Sequence, residues 1–212
     1  MANFFSASQD EQVELIASIW TRFKFIIIAV LVLVVAAIVY REYSASSSDE
    51  FQLNSSSAYE AFLNSTGDKK IDSAKNLIDS YPSSLYANFA LLYLAKVNVE
   101  QLKMEEAKKF LKKVLKNSSS DRGEQFNPIE SLAKLRLAKI LLEEGGAQEV
   151  LDLLKGNKIL TASIYEIKGD AEEELGRVGE AKVSYLQALE LSNSQPIRSL
   201  ISMKIADLQI SK

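Results

Sequence analysis

Acidic side chains form short clusters in this sequence, at Glu143–Glu144 and Glu172–Glu174. The chain has no histidine and no cysteine, which excludes the commonest general base, the commonest metal ligand and thiolate nucleophiles. A hydrolase that uses two carboxylates, as glycosidases do, would need them to converge on a cleft. These clusters are instead typical of exposed helix faces. We therefore expect no enzyme activity, no catalytic residue, no metal site and no cofactor.

Basic residues are also paired, at Lys108–Lys109 and Lys112–Lys113, and they follow Glu105–Glu106. In a helix, opposite charges three or four residues apart form ion pairs along one face. The formal net charge of the chain is −3, whereas a nucleic-acid interface requires a basic patch. We expect ion pairs on a helix and no nucleic-acid partner.

Helices are the elements that must position these acidic and basic side chains. From residue 49 onward, apolar residues recur every three or four positions, and no segment alternates polar with apolar residues as a strand would. Glycine and proline interrupt the pattern at short intervals. The spacing predicts an all-α fold of stacked helical hairpins. The expected helices cover residues 49–65, 69–80, 84–100, 104–116, 128–143, 147–155, 161–175, 179–192 and 196–210.

One of these hairpins has a recognisable internal pattern. The stretch "SIYEIKGDAEEELGRVGEAKVSYLQALE" (163–190) resembles a tetratricopeptide repeat. Gly169 stands where two helices approach closely, and Gly176 ends the first helix. Ala181, Tyr185 and Ala188 follow at the offsets where small and large packing residues alternate.

Two further segments share parts of this pattern. In the segment 92–115, Ala95 occupies the close-approach position and Ala107 follows twelve residues later. In the segment 135–155, Ala138 and Gly145 are seven residues apart, as Gly169 and Gly176 are. These positions predict an irregular α-solenoid of three such repeats.

A solenoid of this kind binds extended partners in the groove that is lined by the first helix of each hairpin. The groove could be an open trough that is apolar at one end and acidic at the other. Alternatively, the helices at 49–65 and 69–80, or the C-terminal helix, could cover it and make its leucines core residues. The same two interpretations apply to the aromatic stripe Tyr86, Phe89 and Tyr93. The candidate groove residues are Phe89, Leu92, Lys96, Leu132, Leu135, Lys139, Glu166 and Asp170.

The N-terminal segment "KFIIIAVLVLVVAAIVYR" has sixteen residues, Phe25 to Tyr40, between its flanking charges Lys24 and Arg41. As a helix it is roughly 24 Å long, and the flanking side chains can extend it towards the headgroups. A core helix would show a polar stripe, and an acidic segment of this length is atypical before a cleaved leader. Cleavage stays an alternative, since "YSASSS" (43–48) offers the small residues that a signal peptidase accepts. The sequence favours a single membrane anchor with the N-terminus in the cytoplasm, because Arg22 and Lys24 lie close before the segment and Arg41 alone lies close after it. The expected organisation is a cytoplasmic segment 1–21, an anchor 22–43 and a repeat domain 44–212.

Several short motifs occur in order along the chain, namely "EQVE", "YREY", "SSSAYEAF", "LRLAK", "IKGDA" and "MKIADL". With the topology, they make the chain resemble the ancillary subunit family of the bacterial SecYEG translocon (YfgM-like proteins). The resemblance implies an inner-membrane protein with a periplasmic repeat domain. It also implies as partners the SecYEG translocon, a PpiD-like periplasmic chaperone and unfolded or nascent exported proteins. A Ser-rich insertion at 117–125 departs from the family pattern. The alternative is a membrane-tethered scaffold for another envelope complex.

Overall fold

A computed structural model describes residues 25–26, 29–30, 32–36, 49–118, 126–156 and 161–210, without the side chains of 209–210. The chain divides into two compact units, residues 1–54 and 55–212. Phe25 is helical and exposed, while Lys24, Tyr40, Arg41 and residues 1–21 lie outside the described residues. Among the residues that are described, no helix is both long enough and apolar enough to cross a membrane.

The described residues from 49 onward are helical except in short connections, and they contain no strand. The prediction of an all-α chain is confirmed, and the predicted helix bounds differ from the observed ones by at most two residues. The helices are α1 (49–64), α2 (Gly67–Ser80), α3 (Leu85–Glu100), α4 (Met104–Ser118), α5 (Pro128–Glu143), α6 (Ala147–Leu154), α7 (Ala162–Glu174), α8 (Val178–Leu191) and α9 (Gln195–Ile210).

From α2 onward each helix packs against the next, and α5 also packs against α7. The short connections make neighbouring helices antiparallel, so that α3, α5 and α7 run in the same direction. Fully buried alanines, such as Ala95, Ala107, Ala138, Ala181 and Ala188, occupy the places where helices meet. Their small side chains allow the backbones to approach while leucines, isoleucines and valines fill the space beside them.

The first helix of each of the three repeats begins with a side-chain cap. The oxygen of Ser84 accepts a hydrogen bond from a backbone N–H of α3 at 3.1 Å. Asn127 accepts two such bonds from α5 at 3.0 and 3.2 Å, and Thr161 accepts one from α7 at 3.4 Å. These caps satisfy backbone donors that have no partner within the helix, which explains why the helices start where they do.

The turns inside the three repeats share one geometry. Leu102, Gly145 and Gly176 hold φ angles of 58°, 79° and 72° in the left-handed region. After each of them, the next backbone N–H donates a 2.8 Å hydrogen bond back to a carbonyl of the preceding helix. This pattern is a Schellman motif, and its left-handed position favours glycine. The first repeat carries a leucine there, a departure that the sequence pattern did not reveal.

The last connection is held by Arg198 of α9. Its guanidinium group donates hydrogen bonds to the carbonyl oxygens of Leu189 and Ser192, the latter at 3.1 Å. A cation at this point also interacts favourably with the C-terminal end of the α8 dipole. Arg198 therefore fixes how α9 turns back onto α8.

Candidate functional site

The closest approach between α7 and α8 is at Gly169. This residue is buried, and the ring of Tyr185 covers it. A Cβ atom at position 169 would lie 2.5 Å from Cε1 of Tyr185, which is closer than real contacts allow. The site therefore requires a residue without a side chain.

The hydroxyl group of Tyr185 reaches the acidic groove residues of α7. It lies 2.7 Å from Oδ1 of Asp170 and 2.7 Å from Oε2 of Glu173, and its single proton can be donated to either carboxylate. Burial, together with the hydrogen bonds to these two carboxylates, raises the pKa of Tyr185 well above its usual range. This shift favours the protonated hydroxyl group, which is the hydrogen-bond donor.

The acidic face of α7 is not open, because Lys204 of α9 lies on it. The Nζ atom of Lys204 is 2.6 Å from Oδ1 and 2.8 Å from Oδ2 of Asp170, and 3.0 Å from Oε1 of Glu166. Burial lowers the pKa of Lys204, but the hydrogen bonds that it donates to Asp170 and Glu166 outweigh this effect and raise the pKa above its usual value. The interpretation in which the C-terminal helix covers part of the groove therefore holds at this end.

Lys204 was not identified from the sequence, although its position carries a signal. In α9 it stands beside Ile205 and between Ile201 and Leu208, on the stripe that packs against α8. A lysine on such a stripe is expected to find an acidic partner, because an unpaired buried charge is costly.

The expectation of an exposed acidic helix face is wrong for Glu172. Its side chain is 3% exposed, accepts a 2.6 Å hydrogen bond from Oγ of Ser184 and pairs with Lys168 at 3.2 Å. Glu172 lies on the side of α7 that faces α8, whereas Glu173 and Glu174 are exposed. The cluster is therefore divided between the interface of two helices and the surface.

At the other end of the groove, α1 covers the aromatic stripe of α3. The Tyr59 ring stacks on Tyr86 with centroids 4.9 Å apart and lies 5.8 Å from Phe89, while Phe62 meets Tyr93 edge-on at 5.2 Å. Tyr86 and Tyr93 are half-buried, but Phe89 remains 36% exposed. The stripe is thus partly core, and its exposed edge is Phe89.

Between these two covered ends, the face formed by α3 and α5 is open. Leu132 is 38% exposed, and Lys96 and Lys139 are exposed as well. Leu135 is half-buried against the core. We call the four exposed residues Phe89, Lys96, Leu132 and Lys139 the open face.

Leu92 does not belong to the open face, contrary to expectation. It is 5% exposed and belongs to the main core cluster, and Arg136 of α5 donates a 3.1 Å hydrogen bond to its carbonyl oxygen. The sequence pattern placed Leu92 on the correct side of α3, but it could not show how closely the next helix approaches.

Of the paired lysines of α4, Lys108 and Lys109 form ion pairs along the helix, as their spacing predicts. Lys109 lies 2.6 Å from Glu106, and Lys108 lies 2.6 Å from Glu105. Lys108 also reaches Glu144 at the end of α5 at 2.7 Å, which links neighbouring repeats. Hydrogen bonds to the two glutamates raise the pKa of Lys108.

A cleft of about 440 Å³ lies where α6, α7 and α8 meet. Charged residues of both signs line it, and they largely satisfy one another: Lys168 pairs with Glu172, and Arg177 donates a hydrogen bond to Gln148 at 3.0 Å. This balance gives the cleft no preference for a ligand of either charge.

The comparison with known families agrees with this architecture. The sequence matches the tetratricopeptide repeat-like domain over residues 18–210. The chain belongs to this family. No curated protein matches the sequence. Domains of this family are typically non-catalytic scaffolds that bind other proteins, and solenoids of this kind use the face lined by their first helices. The chain therefore contains a protein–protein interaction module, and its open face is the candidate binding surface.

Proposed function

We propose that this protein is a membrane-anchored interaction module that associates with the SecYEG protein-export channel of the bacterial inner membrane. In this role it links emerging periplasmic and envelope proteins to chaperones such as PpiD. The N-terminus lies in the cytoplasm, and the repeat domain lies in the periplasm. The observation that carries the binding role is the open face, on which Phe89 of α3 and Leu132 of α5 both expose apolar surface.

The apolar segment Phe25–Tyr40 supports the proposed anchor. Its described side chains include Phe25, which is 76% exposed, and Leu33, which is 69% exposed. Apolar surface of this kind is unfavourable in water and is typical of contact with a membrane or a protein. An anchor would confine the repeat domain to the membrane surface and raise its effective concentration beside a membrane-embedded channel, so that modest affinity suffices.

Site-specific crosslinking tests the proposed partners. A photoreactive residue at Leu132, on the open face, is compared in cells with the same residue at Val183 of α8, which is 56% exposed. We expect Leu132 to capture translocon subunits, a PpiD-like chaperone and newly exported chains, and Val183 to capture none of them.

The alternative function, a scaffold for another envelope complex, predicts a different outcome of the same experiment. Leu132 would then capture one stable partner and no newly exported chains. Equal capture from Leu132 and Val183 would exclude the open face as the binding surface in either role.

Cell fractionation tests the proposed localisation. The full chain should sediment with membranes and resist carbonate extraction, and a chain without residues 22–43 should not. In spheroplasts, external protease should digest the repeat domain of the full chain. Protection of that domain in intact spheroplasts would contradict the proposed orientation.

A further inference from the structure

We propose that the open face binds an acidic amphipathic helix of a protein partner. Phe89 and Leu132 receive its apolar side chains, while Lys96 and Lys139 bind its carboxylates. This inference rests on the proposed protein-binding function and specifies the chemistry of the partner.

The first argument comes from the shared register of the repeats. Lys96 follows Ala95, Lys139 follows Ala138 and Asp170 follows Gly169, so all three occupy the position after the close-approach residue. In α7 the residue at this position, Asp170, forms a 2.6 Å ion pair with Lys204 of the packed helix α9. In α3 and α5 the same position carries a lysine, and the complementary helix is therefore acidic.

The second argument is the spacing on the open face. The hydrogen bond from Arg136 to the Leu92 carbonyl fixes α3 beside α5. Phe89 and Leu132 precede this contact by about one turn, and Lys96 and Lys139 follow it by about one turn. Because the helices are parallel, the two apolar residues lie at one end and the two lysines at the other. Seven residues separate them in each helix, or about 10 Å along the axis.

The third argument is that the lysines lack strong partners. Among the described residues, Lys96 pairs with Glu100 of its own helix alone, at 3.6 Å, and both side chains are more than 60% exposed. Such pairs contribute little. Within the described part of the chain, Lys139 forms no ion pair. Two available cations beside exposed apolar surface therefore favour a partner that is both apolar and acidic. A helix fits this surface, because two parallel helices form a groove that accepts another helix.

Peptide binding to the full chain in detergent tests the proposal. The probe is a fluorescent 16-residue amphipathic peptide with leucines on one face and glutamates beside them. Two companion peptides replace the glutamates with glutamine or with lysine. We expect the Glu peptide to bind at least tenfold more tightly than the Gln peptide, the Lys peptide to bind more weakly still, and salt to weaken the Glu complex.

Charge reversal identifies the residues involved. Lys96→Glu combined with Lys139→Glu should weaken binding of the Glu peptide at least tenfold and restore binding of the Lys peptide. The matched control, Lys112→Glu combined with Lys113→Glu, reverses two exposed lysines of α4 and should change neither affinity. Leu132→Ser should weaken both complexes. Melting curves of the variants show that they fold.

The outcomes separate this inference from the proposed function. If Leu132 crosslinks to partners in cells but the three peptides bind equally, the charge preference is refuted and the interaction module stands. If none of the peptides binds, or if the charge swap restores nothing, the acidic helix is refuted as the occupant. Absence of crosslinks from Leu132 refutes the binding role of the open face itself.

Discussion

The ring of Tyr185 lies directly over Gly169, and this contact sets the distance between α7 and α8. The tyrosine is fully buried, and its Cε1 atom would be 2.5 Å from any Cβ at position 169. The hydroxyl group of the same tyrosine extends past the glycine to Asp170 and Glu173. One pair of residues therefore couples the packing of the repeat to the polar network that holds α9.

Gly169→Ala should destabilise the protein by about 1–3 kcal/mol, because the ring of Tyr185 must move within a packed core. Urea unfolding measures the change. Gly179→Ala is the matched control, since a Cβ at position 179 of α8 would meet nothing within 4 Å. That variant should gain about 0.5 kcal/mol from the smaller entropy of its unfolded chain. A stable Gly169→Ala protein would contradict the close contact.

Leu102→Gly should stabilise the first repeat. Leu102 holds a φ of 58° and is 81% exposed, so its replacement relieves left-handed strain and sacrifices little burial. Glycine is more flexible than leucine in the unfolded chain, which offsets part of this benefit. We expect a net gain of about 0.5–1 kcal/mol in the free energy of unfolding. The reciprocal variant, Gly145→Ala, changes the equivalent turn and should lower the free energy of unfolding by about 1 kcal/mol. A loss of stability in Leu102→Gly would show that the leucine side chain makes a stabilising contact.

Glu172→Ala should cost about 2–3 kcal/mol, since it leaves Ser184 without a partner and empties a buried site between α7 and α8. The control is Glu174→Ala, two residues further along α7, where the side chain is exposed and the change should stay within about 0.5 kcal/mol. Thermal unfolding of both variants measures the difference. Similar melting temperatures would mean that Glu172 is solvated after all.

The Lys204 contacts should make stability depend on pH in the alkaline range. The pKa of Lys204 is raised in the folded protein, so its contribution is fully present below the unfolded pKa of about 10.4 and is lost as pH rises through the folded pKa. Lys204→Met should cost about 1–2 kcal/mol at pH 7.

Urea unfolding of both proteins between pH 7 and 11.5 measures this effect. The free-energy difference between the native chain and Lys204→Met should shrink above about pH 10.4. The raised pKa of Tyr185 lowers stability over the same pH range, and Tyr185 shares Asp170 with Lys204, so the comparison is repeated with Tyr185→Phe in both proteins. A difference that stays constant across this range would show that the lysine does not depend on its charge for its role.

Much of the fold could be predicted, because helices and turns depend on local chemistry. Proline and the caps Ser84, Asn127 and Thr161 determine where helices begin, and Gly145 and Gly176 determine where they end. The apolar spacing predicted the helices themselves. The seven-residue interval from Ala138 to Gly145 predicted the repeat.

The candidate binding surface could be predicted only in part. The pattern identified Phe89, Leu132, Lys96 and Lys139 as one side of two helices, and the structure leaves them exposed. It also included Leu92, which is buried in the core. The difference arises because the distance between α3 and α5 depends on contacts between residues that are far apart in the chain, such as Arg136 and Leu92.

The sequence by itself therefore determined an all-α repeat chain, its helix bounds, its small packing residues and the absence of histidine and cysteine chemistry. Only the tertiary structure decided which candidate surface stays open. Glu172 lies in the interface between α7 and α8, and the acidic face of α7 binds Lys204 of α9. Both contacts arise because α8 and α9 fold back onto α7. Periodicity reports the faces of one helix, whereas the partner of each face is set by helices from other parts of the chain.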